Sequence, residues 1–467
     1  MSPSSSAPTA RLDRFLAAPR RAVWVMAAPM MIGMAVHAAY LWIDTAFVGS
    51  LGEAAVAAIT YVGPLFFLLI ALINGFATAV TALVAQAIGA RDVDEAERVA
   101  GSSVLVAAAL GGLFLVGGLL LGPWLLRGLG ARGEAHRLAW EFFQVIALVV
   151  PVFFLSSAVR AVLAGEGDAK TPTYILLGST VVNAGLDALF IFGLGLGIRG
   201  AALATAAAAT LSLVAYLWLA LRPGHPGVRF RVRHLRVYRP LLVGLVSLGL
   251  PTTGGQVVMS LGMAVNNRLL SHFGDLVVAG YGAASRVDMV VTMPVFGLAA
   301  AAVTLIGMFG GAGRSDLVRG TTRYVLGWAV LITAGLGVAA VASSGHLLRL
   351  FVDAPESLST GRTYLAFMVF TYPMMAFGMV TGRVLQGLGR GVPSLVITSV
   401  RVLLVSMPVA YVGIHAAGAG PWIIWTGILL GGGVSCVLSV LWLCQILWGE
   451  APLPPLAPAL AESPPSG

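Results

Sequence analysis

Three acidic residues stand inside long apolar runs of this chain: Asp44, Asp187 and Asp288. The other 16 of its 19 acids fall in polar stretches or near the ends of apolar runs. A carboxylate in apolar surroundings is costly, so one kept there is a candidate for ion binding or proton exchange. Tyr40 and His37 precede Asp44 by four and seven residues, which places all three on one helix face. Asn183 precedes Asp187 by four and shares its face, and Thr205 adds a hydroxyl in the next apolar run. Two carboxylates, an amide and a hydroxyl make an oxygen-rich set that can ligate Na⁺. The same carboxylates can bind and release protons, because burial brings carboxyl titration toward neutral pH. Both ions stay open. For Asn183 or Thr205 taken singly, hydrogen bonding between packed helices explains the residue equally well.

The remaining polar residues divide less sharply. Asp288 follows Arg286 closely and reads either as a group in a substrate cleft or as a paired interfacial charge. Arg401 lies inside an apolar run and needs a partner or a path to water. Asn266 and His37 complete the cleft candidates; His37 is read as a proton relay or as a buried, hydrogen-bonded histidine. Arg268, beside Asn266 and Asn267, is placed near the outer interface. The other six histidines show no metal-ligand spacing. Pro29, 15 residues before Asp44, removes a backbone hydrogen bond and is a candidate hinge. No phosphate-binding Gly-Lys-Ser/Thr loop and no clustered nucleophile and base occur, so neither ATP hydrolysis nor other enzyme chemistry is expected. No cofactor is expected beyond H⁺ or Na⁺ as a coupling ion.

The elements that must hold these groups follow from composition. Of 467 residues 58% are hydrophobic and 10% charged, and mean hydropathy is +0.93. That excludes a disordered chain and an ordinary soluble domain. Two cysteines, Cys436 and Cys444, in one apolar stretch exclude a disulfide scaffold. An all-α integral membrane protein remains, since a spanning helix needs about 20 apolar residues. Apolar runs predict twelve spans at about 22–46, 54–88, 100–127, 137–163, 171–193, 200–221, 240–271, 276–309, 322–349, 362–387, 393–415 and 420–448. The expected organisation is a disordered N-terminus over 1–19, a six-helix bundle over 20–221 and a basic linker over 222–239. A second six-helix bundle over 240–448 and a Pro-rich tail over 449–467 follow. Arginine clusters before the first span, at 222–239 and at 314–323 place both termini and the linker in the cytoplasm of an inner-membrane protein. The charge of +9 is thus read as topology, with no nucleic-acid partner.

The two halves repeat. An offset of 222 pairs Pro29 with Pro251, Gly75 with Gly297, Asp94 with Asp316, Pro151 with Pro373 and Gly167 with Gly389. It slips to 221 at Pro172 and Pro393, then to 220 at Gly200 and Gly420. Six spans is an even number, so the halves enter the membrane from the same side, related by a pseudo-two-fold along its normal. Their chemistry differs: Asn266 stands at the Asp44 position, and Leu404 and Pro408 stand at those of Asn183 and Asp187.

The segment Ile43-Asp44-Thr45-Ala46-Phe47-Val48-Gly49, the stretch Asn183 to Phe190 and the stretch Gly200 to Thr205, on this layout, resemble the multidrug and toxic compound extrusion (MATE) transporters. The resemblance covers about residues 20–448. Tyr40, one turn before Asp44, resembles the prokaryotic branch related to the DNA-damage-inducible protein F group. It implies a cation or proton site in the N-terminal bundle at Asp44, Asn183, Asp187 and Thr205, with Tyr40 nearby. Other branches carry an acid in the seventh span, where this chain has Asn266 and Asn267. The expected activity is export of a small organic, amphipathic or cationic compound by an antiporter driven by H⁺ or Na⁺. The partners are that substrate and membrane lipids, and the chain is taken as a monomer. Rivals are a lipid-linked oligosaccharide flippase of the same superfamily, a membrane-embedded transferase and a non-transporting receptor.

Overall fold

The structure is a computed structural model. It describes residues 7–49, 53–222, 227–230 and 234–447, with side chains for all of these except 7, 37–49, 53–56 and 221. The described residues form helices and connecting turns, with no strand among them. After a short helix α1 (Ala7–Ala17), α2 (Pro19–Gly49) holds the first expected span. The N-terminal half continues with α3 (Glu53–Gly89), α4 (Val93–Gly128), α5 (Gly133–Gly165), α6 (Lys170–Asp187) and α7 (Gly197–Leu221). The C-terminal half has α8 (Arg239–Gly244) running through a π-helical segment, Leu245–Gly249, into α9 (Leu250–Leu270). Then come α10 (Asp275–Gly311), α11 (Ser315–Ala342), α12 (Ser344–Arg349) and α13 (Pro355–Gly387). In the same way α14 (Val392–Ser399) runs through a π segment, Val400–Ser406, into α15 (Met407–His415), and α16 (Trp422–Leu447) ends the described chain.

Eleven helices among the described residues are long and apolar enough to cross a membrane; α2, in addition, is 31 residues long. Together they cover every expected span. At 37 residues, α3 and α10 reach about 55 Å at 1.5 Å per residue, well beyond a hydrocarbon core of about 30 Å.

The repeat extends to backbone conformation. The turn after α3 places Arg91 at φ 60°, and its counterpart after α10 places Gly313 at φ 68°. Gly167 and Gly389, after α5 and α13, take φ 80° and 82°. Left-handed residues of this kind end helices, and glycine adopts them without steric cost.

Three expectations need correction. Residues 7–17 of the expected disordered N-terminus form α1, which buries Leu12 and Phe15. The Ser/Pro/Ala-rich start hid an amphipathic helix of about three turns around them. The span expected over 322–349 ends at Ala342, and the small residues Ser343, Ser344 and Gly345 separate it from α12. The span boundary at the start of the C-terminal half is not a unit boundary either. By contacts the chain divides into one unit with Ile32–Gly249 and residues up to Arg14, and another with Phe15–Met31 and residues from Leu250 onward.

The first spanning helix of each half therefore begins in the other half's unit. In the C-terminal unit, Trp24 Nε1 donates to the Tyr324 hydroxyl at 2.9 Å. Its ring also meets Trp328 edge-to-face at 5.3 Å. In the N-terminal unit, α8 and the π segment lie against α3, where Gly244 faces Leu83 and Gly249 faces Gly75. The seams fall at Met31/Ile32 and Gly249/Leu250, two residues from Pro29 and two from Pro251. The tail over 449–467 lies outside the described residues.

Candidate functional site

In the N-terminal unit the site rests on α6 and α7. Asp168 starts α6 by accepting from Thr171 N at 3.1 Å and from the Thr171 hydroxyl at 2.8 Å. The helix then carries Asn183 and Asp187 inward: Asn183 is 3% exposed and Asp187 fully buried. Neither amide atom of Asn183 has a hydrogen-bond partner among the described residues. A buried amide in that condition is set for a ligand, since nearly all buried polar atoms in folded proteins are satisfied. Directly after Asp187 the helix widens into a π segment, Ala188–Gly193. Such segments are enriched at functional sites. Gly200 lets α7 approach that segment, for a β-carbon there would stand 2.9 Å from the Phe190 carbonyl.

Thr205 follows on α7, half-buried, and its hydroxyl donates to Ala201 O at 3.1 Å. Its hydrogen is thus spent within its own helix, while its oxygen lone pairs can still face a cation. His37, Tyr40 and Asp44 belong to α2, but their side chains lie outside the described residues. Pro29 is an interior residue of the same helix. Among the described residues no three of His, Cys, Asp and Glu cluster as metal ligands.

The C-terminal unit holds a polar group that the sequence reading placed only in outline. Asp288 lies 13 residues into α10 with both carboxylate oxygens hydrogen-bonded by the phenols of Tyr364 and Tyr372 on α13, and no cation pairs with it among the described residues. Tyr281 and Trp425 complete an aromatic wall. None of these four aromatics was singled out from the sequence. The usable signals were two tyrosines eight residues apart in one apolar span, and Tyr281 seven residues before Asp288. Trp425 occupies the repeat position of Thr205, so the C-terminal half replaces a hydroxyl with an indole.

Arg401 lies in the π segment Val400–Ser406, with Nη2 directed at Met259 Sδ, 2.6 Å away. No acid pairs with it among the described residues. Asn266 is half-buried on α9, whereas Arg268 is exposed.

Membrane-crossing helices in two related halves, with the polar side chains Asn183 and Asp187 buried inside one of them, have the build of a membrane transporter. The family model described as MatE matches twice, over residues 29–189 and 251–412. The chain belongs to the MatE family. Both matches open on the paired prolines Pro29 and Pro251. The probable multidrug resistance protein YoeA of Bacillus subtilis is 28% identical over 83% of this chain and 85% of its own. An FAD transporter of Shewanella oneidensis is 24% identical over 90% and 94%. Among solved structures, an outward-facing multidrug resistance MATE transporter superposes with a TM-score of 0.87 at 28% identity, over 92% of this chain and 96% of its own. Similar chains have been solved in conformations described as bent and straight.

Proposed function

We propose that this protein exports organic compounds, amphipathic or cationic, across the cytoplasmic membrane in exchange for H⁺ or Na⁺. Both termini and the basic linker face the cytoplasm. The observation that carries the coupling step is the pair Asn183 and Asp187, buried one turn apart in a membrane-crossing helix beside a π segment. The relatives' roles in multidrug resistance support the substrate class. Asp44, Tyr40 and Thr205 are assigned to the same coupling site, and Pro29 to the bend of α2. A ligand drives alternating access only by binding two conformations unequally. Ion binding at Asp44 and Asp187 favours one shape of α2, and substrate favours the other.

Arg401 keeps one second reading in view. A half-buried guanidinium with no acid beside it among the described residues suits an anionic headgroup, as a lipid-linked oligosaccharide flippase needs.

The test is ethidium efflux from proteoliposomes under an imposed pH or Na⁺ gradient, for wild type, Asp44→Asn and Asp187→Asn. Flux driven by one ion and lost in both variants is the expected result. Flux driven by neither ion sinks the antiporter and favours the flippase. Full flux in both variants removes these aspartates from coupling.

A further inference from the structure

Asp288 occupies an unusual setting for an acid. Its Oδ2 accepts from the Tyr364 hydroxyl and its Oδ1 from the Tyr372 hydroxyl. Tyr281, two turns earlier on α10, meets Tyr364 edge-to-face at 5.3 Å and stacks on Trp425 at 5.5 Å. Trp425 closes the group edge-on to Tyr364 at 4.8 Å. Tyr364, Tyr372 and Trp425 are each no more than 3% exposed.

No cation balances the carboxylate among the described residues. Arg286, two residues earlier, turns its guanidinium over the Phe351 ring, 4.9 Å away. The ionisable groups that face Asp288 are the phenols of Tyr281, Tyr364 and Tyr372. From the helices packed around it, α16 brings no ionisable side chain but Cys436 and Cys444; α11 brings Asp316, Arg319, Arg323 and Tyr324, α12 brings His346 and Arg349, and α13 adds Glu356, Arg362 and Arg383, none of which pairs with Asp288. A fixed charge in the middle of a membrane helix bundle is costly, and paired cations are the usual remedy. Here two hydroxyls take that role.

Two opposing effects act on this proton. Ionised, the carboxylate accepts from both phenols, but no cation balances its buried charge. Neutral, it loses that charge and donates to one tyrosine oxygen while accepting from the other, and the displaced phenol hydrogen must turn to another acceptor. A metal cation fits poorly, since it needs a shell of oxygens and aromatic faces fill the remaining directions.

We propose that Asp288 takes up and releases a proton during transport, as a second coupling group in the C-terminal unit with Tyr364 and Tyr372 as its positioning residues. The coupling role rests on the antiporter reading; the proton exchange stands without it. Infrared difference spectra of the purified full chain across a pH titration report protonated carboxyl groups directly. Among the titrating carboxyl C=O bands of wild type, one is expected to be lost in Asp288→Asn while those of the other buried acids, Glu166 among them, remain. Tyr364→Phe and Tyr372→Phe each keep the band and move its midpoint, and they carry the test if Asp288→Asn does not fold. A spectrum unchanged in these variants overturns the proposal. In proteoliposomes with ethidium as probe, Asp288→Asn exchanges one proton fewer per ethidium; an unchanged ratio removes the coupling role. A wild type without pH-driven efflux fails the antiporter reading while the infrared result stands on its own.

Discussion

A β-carbon built on Gly297 would stand 2.6 Å from the backbone nitrogen of Met31, so α10 lies this close to α2 only because position 297 carries no side chain. Met31 is two residues past Pro29, at the seam where α2 passes from one unit's packing to the other's. The repeat partner of Gly297 is Gly75, whose carbonyl stands 3.3 Å from where a β-carbon on Gly249 would sit. Each half thus holds a first spanning helix close beside its proline, through a glycine on its second.

Gly297→Ala is expected to destabilise the detergent-solubilised protein by about 1–3 kcal/mol, the usual cost of overpacking against backbone. Gly327→Ala is the control, because nothing lies within 4 Å of a β-carbon there. Thermal melts of the two compare them directly. Equal melting temperatures would contradict the close approach at Met31.

Pro29→Ala restores a backbone donor to α2 and removes the steric clash that bends helices at proline. The variant is expected to fold with a melting temperature at or above wild type and to lose at least about tenfold in efflux rate, because the step lost is a change of shape. Ethidium binding by fluorescence anisotropy should be retained. Wild-type efflux would remove Pro29 from the moving parts.

Much of this architecture was legible because membrane burial writes it in composition. Apolar runs located the spans, although the one expected over 322–349 ran past the break at Ser343, and the 222-residue offset located both family matches to their opening prolines. The shared burial of Asn183 and Asp187 on one helix was legible because polar residues one turn apart are rare in an apolar span. The seams were not legible: Trp24 to Tyr324 is a bond across 300 residues, and no local pattern announces it. Nor was the setting of Asp288, since tyrosines in apolar spans serve equally as interfacial anchors. Helix α1 escaped because the large apolar part of its buried face is only Leu12 and Phe15, beside the small Pro8 and Thr9.

Glu166, in the turn after α5, joins three segments. Its Oε2 accepts from Val228 N of the linker at 3.1 Å and lies 3.8 Å from Arg11 Nη1 of α1. Burial pushes its carboxyl up from 4.5 to about 8, against the pull of Arg11 and the Val228 N–H. The folded protein then holds this proton up to about pH 8, while the unfolded chain releases it near 4.5. The resulting stability is fully present below 4.5 and is lost as pH rises through 8, with a slope of at most about 1.4 kcal/mol per unit. Melting temperatures should fall between pH 6 and 8.5 in wild type and flatten in Glu166→Gln. Parallel curves for the two proteins would refute this assignment.

Arg401 offers the last test, because a packing role and a recognition role agree on stability and part on which compounds move. A buried charge without a partner is itself destabilising, and an apolar residue of similar volume in its place is often neutral or stabilising. If the guanidinium only fills space beside Met259, Arg401→Met should raise the melting temperature and leave efflux untouched. If it faces substrate, the same change should raise or preserve the melting temperature and alter which compounds move. The π segment favours the second outcome: it interrupts regular helix at Arg401, a departure that stability alone does not reward. The expected result is therefore a melting temperature at or above wild type with at least about fivefold loss of efflux for an anionic dye and a smaller change for ethidium. Equal loss for both dyes would point to a general conformational role, and no loss for either would leave Arg401 as packing.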